Sequence, residues 1–276
     1  MLPALSGSCR KIPDPVEEEV EAPEPPVVVV DSVTTRIRLL AEGQDIGTLD
    51  LFVYDSEGTR PLEAHRTAEA LPEGWWPVQT LPGDKLVVGI ANSPRRFNLT
   101  ALGRYDAMQQ LSFRFGDDDP QHPILGGSCL TDAQQGEIVL RPLLCRIVLA
   151  TVSNTMDGYE LLEDPRVRLT DLPDGAEILR DRDFRPSELI DAGDWVALPC
   201  DVGYFPQACG ISLWCYPNDT PENILGVPRP TLEFECSIVG ESCSFEVPLP
   251  PLSRGCTKEV DLTINGPDDY SYKIRE

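Results

Sequence analysis

Hydrophobicity alternates with a period of two through much of this chain, and no other feature constrains its fold as strongly. Thr35-Arg36-Ile37-Arg38-Leu39 alternates, and so does Leu49-Asp50-Leu51-Phe52-Val53-Tyr54, which runs into the turn signal Asp55-Ser56-Glu57-Gly58. A strand places successive side chains on opposite faces, so this period predicts strands and argues against long helices. Lys85 to Asn92 is a nearly continuous apolar run, as expected of a central strand. Leu111–Phe115 is a shorter candidate, and Ile138–Val152 reads as two strands or one bent strand because Pro142 removes a ladder donor. Downstream candidates are Trp195–Leu198, Ile211–Tyr216, Thr231–Ile238, Ser244–Val247, Glu259–Ile264 and Tyr270–Ile274.

Helices are few. Asn98 can cap one in which Leu99, Leu102, Tyr105, Met108 and Leu111 recur every third residue, and a weaker one is expected near Pro186–Ala192. The 27 prolines and 21 glycines punctuate the strand candidates at sandwich-like spacing. The expectation is an all-β chain of two β-sandwiches in series, residues 32–150 and 151–276, with one or two short helices. Forty-one per cent of residues are apolar, enough for real cores.

The amino end is different. Leu5-Ser6-Gly7-Ser8-Cys9 resembles the lipobox of a bacterial lipoprotein signal, in which small residues precede the cysteine that receives lipid. Residues 1–8 are then the remnant of a signal, with its basic start and most of its apolar stretch missing, and Cys9 is the expected lipidation site. The other possibility is an ordinary amino terminus with one free thiol. Pro13 to Pro26 holds five prolines and six acids in fourteen residues. Such a stretch cannot pack a core, so residues 9–31 are expected to form an acidic, self-repelling tether that reaches on the order of 60 Å at about 3 Å per residue. No run reaches the roughly 18 apolar residues of a membrane helix. A membrane connection would therefore be a lipid anchor.

Charge narrows the partners. With 46 acidic and 23 basic side chains the formal net charge is −23. That balance excludes electrostatic affinity for nucleic acid or anionic lipid. Residues 14–24 carry six acids and no base, so the tether holds part of the excess.

The chemistry-bearing residues form no catalytic pattern. His65 and His122 are the two histidines, and no GxSxG, HExxH or P-loop sequence occurs. Asp117-Asp118-Asp119 lacks the spaced acids, glycine and terminal glutamate of a calcium loop and is expected to be solvated. Neither an enzyme nor a cofactor is expected. Eight cysteines follow Cys9, six of them between Cys200 and Cys256: Cys200, Cys209, Cys215, Cys236, Cys243 and Cys256. An even set in an exported chain permits disulfides, although sequence cannot pair them. Cys145 and Cys236 also read as small buried hydrophobes, and zinc is disfavoured because no CxxC pair occurs. Trp75-Trp76 is a candidate stacking platform for a sugar, unless one indole is buried.

In order along the chain, LDLFVYDSEG, KLVVGIANSP, the helix candidate from Leu99, HPILGG and VLRPLLCRIVLATVSN resemble the N-terminal part of fimbrillins, the pilins and pilin-like lipoproteins of Bacteroidales type V pili. LWCYPNDT, RPTLEFECSIVG, FEVPLPPLSRG and KEVDLTINGP resemble that family's C-terminal domain, so the likeness runs from about Thr34 to Pro267. Each piece is short, and their order carries the weight. The resemblance implies two tandem transthyretin-like (Greek-key) β-sandwich domains, export as an outer-membrane lipoprotein, and a place in a surface fimbrium. It also implies that stalk subunits are cut after an arginine in the loop behind the first strand. The groove so freed accepts a donor strand from a neighbour, by β-strand addition. Here that loop, Ala41 to Thr48, has no basic residue, Arg36 and Arg38 lie inside the presumed first strand, and only Asp268 to Glu276 follow Pro267. These departures resemble anchor subunits. The expected function is thus a structural or adhesive fimbrial subunit, most simply an anchor or assembly-limiting one. The alternatives are a tip adhesin for a host glycan or protein, and a stalk pilin with an atypical processing site. The expected partners are other pilus subunits, with the membrane reached through lipid alone.

Overall fold

The computed structural model describes residues 31–276, apart from residues 42, 132–133, 159, 187 and 222–226. Cys9 and the acidic tether thus lie outside the described residues, save Asp31. Ser32–Glu276 forms one compact unit. It is all-β as the alternation predicts, with 56% of the described residues in strands and 3% in helix.

In chain order the first half contains β1 (Val33–Leu40), β2 (Leu49–Asp55), β3 (Leu62–Ala68), β4 (Trp75–Thr80), β5 (Lys85–Ala91), α1 (Tyr105–Gln109), β6 (Ser112–Arg114), β7 (Leu125–Leu130), β8 (Gln135–Val139) and β9 (Arg141–Pro142). The second half contains β10 (Cys145–Asn154), β11 (Glu163–Pro173), β12 (Gly175–Glu177), β13 (Leu189–Ala192), β14 (Val196–Ala197), β15 (Gln207–Cys215), β16 (Thr231–Ile238), β17 (Glu241–Pro248), β18 (Thr257–Gly266) and β19 (Asp269–Arg275).

A five-stranded sheet, ordered β3-β2-β5-β7-β9, dominates the first half, and a three-stranded sheet, β4-β1-β8, covers one of its faces. The alternation in β2 and β5 feeds two cores at once. Leu49, Leu51, Val53, Val87 and Ala91 face β1 and β8, where they meet Ile37, Leu39, Ile138 and Leu140. The intervening Phe52, Tyr54, Val88 and Ile90 face the opposite way, onto Tyr105, Met108, Phe113, Leu143, Leu144, Ile178 and Tyr216. Both faces being covered is why Lys85 to Ala91 reads as a continuous apolar run. Lys85 itself is fully buried, its ammonium 2.9 Å from Glu63 and 3.8 Å from Asp55.

In the second half β15-β10-β18-β19 packs on β13-β11-β16-β17, with Leu149, Val152, Val167, Leu169, Phe234, Phe245 and Leu262 between them. β10 and β18 run parallel, whereas the β16–β17 hairpin turns at Val239 and Gly240, both at positive φ (53° and 81°), as a tight two-residue hairpin requires. The expected boundary after residue 150 falls within β10, whose ladder partners are β15 and β18.

Three expectations change. The helix proposed from Asn98 shortens to α1, a single turn and a half. Asn98 does cap a turn, its Oδ1 accepting from Thr100 and Ala101, but Gly103 and the extended Arg104 (φ −136°, ψ 144°) interrupt it. That break lets Gly103 O accept from the Leu62 amide and so ties the turn to β3. The segment near Pro186–Ala192 forms β13 instead of a helix, because Leu172 and Thr170 of β11 pair with Ile190 and Ala192. Asp118 is buried, not solvated, and its carboxylate accepts from the Ile124 amide at 2.8 Å and the Tyr216 hydroxyl at 3.1 Å.

Arg254, in the connection between β17 and β18, fastens the two halves. Its guanidinium donates to four carbonyls: Pro142 at 3.2 Å, Ile178 at 2.6 Å, Gly126 at 2.7 Å and Arg141 at 2.6 Å. Among the described residues it makes no ion pair, and burial lowers its pKa to about 10 against the raising charge of Asp181. A planar fork can satisfy four fixed acceptors where an ammonium cannot. Replacement Arg254→Leu, measured by urea unfolding, is expected to cost about 3 kcal/mol by stranding those carbonyls. Arg254→Lys should recover less than half of that loss.

Candidate functional site: the seat of the first strand

β1 is laddered on both sides. It pairs antiparallel with β4, from Val33↔Thr80 to Arg38↔Trp75, and parallel with β8, from Arg36↔Gln135 to Leu40↔Val139. Its even positions Arg36 and Arg38 point to solvent, and Arg38 lies 3.4 Å from Glu137 on β8. Its odd positions Thr35, Ile37 and Leu39 point inward and are buried.

Each inward residue has a matched seat. Thr35 shares a hydrogen bond of 2.7 Å with Thr80, so its hydroxyl is satisfied where water is excluded. Leu39 sits over Gly89 in the middle of β5. A Cβ on that glycine would come within 2.7 Å of Leu39 Cδ2 and 3.0 Å of Leu140 Cδ2. The missing side chain is therefore what allows the two sheets to approach there.

The loop behind β1 is also held down. Asn92, at φ 55°, accepts from the Gly47 amide at 3.0 Å and donates to Asp45 O at 2.9 Å and Pro123 O at 3.1 Å. Ile46 from the same loop is buried in the core beneath β1. Strand, loop and sheet thus form one packed unit, and both arginines of β1 lie in backbone paired on two sides.

The remaining candidates are scattered. Trp75 is 45% exposed, while Trp76 packs against the core under β1. As neighbours on one strand they point to opposite faces and do not form a common platform. His65 Nε2 lies 2.8 Å from Asp50 Oδ1, with its ring against Phe52; His122 lies 3.8 Å from Asp45 at the surface. Among the described residues no group of three or more His, Cys, Asp or Glu side chains is placed to hold a metal ion. No described helix is long and apolar enough to cross a membrane.

All eight described cysteines stand as free thiols. Cys200 is exposed and Cys209 half-buried. Cys236 and Cys243 are register partners across the β16–β17 hairpin, and both are buried. Burial pushes the Cys236 thiol up to about 12 and raises that of Cys243. Cys145 and Cys215 are register partners too, and Cys256 stands on the other side of Cys145. Cys129 lies on β7.

Sequence reasoning passed over Asn92, Arg254 and the Asp118–Tyr216 pair. An isolated asparagine after a strand, in Ala91-Asn92-Ser93-Pro94, signals a residue that tolerates positive φ and could have pointed to Asn92. Nothing local marks Arg254, whose acceptors lie 76 to 128 residues away.

No protein-family model and no curated protein matches this chain. Solved structures do. A candidate cell adhesion protein of Parabacteroides distasonis superposes with a TM-score of 0.64 at 11% identity, over 87% of this chain and 95% of that one. The tip fimbrial protein Mfa3 of Porphyromonas gingivalis, truncated at its carboxyl end, gives 0.54 at 12% identity over 88% and 98%. A fimbrilin of the same organism, FimA, gives 0.55 at 12% identity over 86% and 90%. The chain shares the fold of these fimbrial and adhesion proteins along nearly the whole of each, and none of the three is named as an enzyme.

The buried Asp118–Tyr216 contact joins the loop before β7 to the end of β15 and should impose a pH signature. Burial pushes the Asp118 carboxyl up to about 6, against the lowering effect of its bonds from Ile124 and Tyr216. A folded pKa above the unfolded one means that the native state holds this proton more tightly. Its contribution is complete below about pH 4 and is lost as pH rises through about 6. Relative to Asp118→Asn, the wild type is expected to lose about 2 kcal/mol of stability between pH 4 and pH 7, as read from paired denaturation curves. Parallel curves would contradict the assignment.

Proposed function

We propose that this chain is a subunit of a cell-surface fimbrium, of the anchor or assembly-limiting kind. The observation that carries this reading is the doubly laddered β1. In the strand-addition mode that the fimbrillin resemblance implies, a subunit receives its neighbour's strand only after its own first strand is removed. Cleavage requires a basic residue in an accessible loop. The loop from Ala41 to Thr48 has none, and the nearest arginines, Arg36 and Arg38, sit in backbone paired to both β4 and β8. A protease must draw several residues into an extended, unpaired form, so local opening of β1 would have to come first. A subunit that keeps its first strand offers no vacant groove and ends the chain of additions on that side.

Cys9 is then the proposed lipid site, residues 9–31 the spacer, and the sheets the docking body. An acidic spacer is repelled by an anionic membrane surface, which suits a protein held there by lipid alone. The neighbouring pilin would be engaged through strand addition, with backbone hydrogen bonds supplying affinity and alternating pockets supplying register. A tip adhesin is the second reading, supported by the exposed indole of Trp75; a stalk pilin with an atypical processing site is the third.

The test is carried out in the native host by labelling with a lipid precursor and by amino-terminal sequencing of the chain recovered with fibres. The anchor reading expects lipid on the wild type, loss of label and of membrane retention in Cys9→Ala, and β1 intact. Mature chains that begin at Ile37 or Leu39 would instead show processing within β1. Glycan binding lost in Trp75→Ala, without capture of pilins, would favour the adhesin.

A further inference from the structure

Cys145 opens β10, a strand with neighbours on both sides, and a cysteine stands beside it on each. Cys215 is its antiparallel register partner on β15. On the other flank the parallel ladder begins with Arg146 and Thr257, and the Arg146 amide donates to Cys256 O at 2.8 Å, which sets Cys256 level with Cys145. The three side chains form one row against the core of the second half, and the Cys145 thiol donates to Ser253 O at 3.2 Å, three residues before Cys256. Cys145 and Cys215 are fully buried and Cys256 half-buried. Antiparallel partners such as Cys145 and Cys215 have Cα atoms about 4.5–5.5 Å apart, and neighbouring strands of any direction lie about 4.8 Å apart, so both flanks fall near the roughly 4.4–6.8 Å span of a disulfide. A row of thiols at this spacing has the reach for disulfide chemistry.

We propose that Cys145 is an oxidation site with two competing partners: it takes one disulfide, to Cys256 in preference to Cys215, and keeps the third thiol in contact with that bond. Cys256 is favoured because it lies in a turn, its amide 3.1 Å from Ser253 O and preceded by Gly255 at φ 66°, and can adjust to disulfide geometry. Cys215 is fixed in the ladder of β15. In the reaction the Cys145 and Cys256 thiols give up two protons and two electrons to a disulfide oxidant. One sulfur–sulfur bond forms in the protein and one breaks in the oxidant, which leaves as two thiols. A Cys215 thiolate can then attack Cys145 Sγ and release Cys256 as thiolate, so the bond can move along the row without further oxidant.

Contact with Cys145 and burial raise the Cys256 thiol well above its ordinary range, and Cys145 is raised too, first by its contact with Cys215. Exchange in the folded protein is accordingly slow, and the bond belongs to folding in an oxidising compartment. Its position has a structural consequence. Cys256 is two residues from Arg254, so the bond would close the connection that carries the guanidinium clamp onto the start of β10.

The full chain, reduced and denatured, is refolded with oxidised and reduced glutathione, trapped with an alkylating reagent and digested without reduction. The expected result is a peptide linking Cys145 to Cys256, with alkylation of Cys145 reduced about tenfold against a fully reduced control. In Cys256→Ala the link should pass to Cys215. Wild type in which Cys145 is recovered alkylated overturns the assignment. So does a bond joining Cys215 to Cys256, or one joining Cys145 to a cysteine outside the row. A folded Cys256→Ala chain with Cys145 still alkylated removes the second partner. The wild-type map is decisive whether or not the variant folds.

Discussion

The five-stranded sheet is buried on both faces, and the rest of the structure depends on that double burial. Alternate residues of β2 and β5 supply two separate cores, one under β1 and one against α1, β6 and the beginning of the second half. Removing either cover would expose a whole apolar face, at about 25 cal/mol for each square ångström returned to water. The cover over the first face depends on β1, which sits between β4 and β8 and brings Ile37 and Leu39 to the core. The cover over the second is fastened from outside the sheet by Arg254 and by the Asp118–Tyr216 contact.

This arrangement bears directly on function. A strand removable at little cost would be paired on one side, seated shallowly and followed by a loose loop. β1 is paired on both sides and seated on Gly89, and its following loop is tied down by Asn92 and buried Ile46. The fold is shared with fimbrial and adhesion proteins. The proposed terminal role comes from how this particular chain holds its first strand within that fold.

Much of the architecture was legible because burial leaves a periodic trace. β1, β2, β5, β10 and β16 to β18 each have at least one buried face, and their alternation or apolar runs stand out. β3 did not stand out, since LEAHRTA is an edge strand of half-exposed residues that includes Glu63 and His65. In β4, Pro77 reads as a breaker, although an edge position tolerates it. In β7, Gly126 and Gly127 are required by close approach: a Cβ at Gly126 would meet Ile178 Cγ1 at 2.4 Å. β11 hides its period behind charges that face Glu233 and Glu235 across the ladder with β16. The absence of a basic residue after β1 could be read directly. The two-sided pairing of β1 could not, because β8 lies about 100 residues further along the chain and pairs with it in parallel.

If β1 is a resident strand, its amides should open only when the sheet beneath it opens. Hydrogen exchange on the intact chain measures this most directly. Amides of Ile37 and Leu39 are expected to exchange as slowly as those of Val88 and Ile90 in β5, and to slow or quicken with them as denaturant is varied. Exchange of β1 through a separate, low-energy opening, while β5 stays protected, would contradict the account and make the first strand available for replacement.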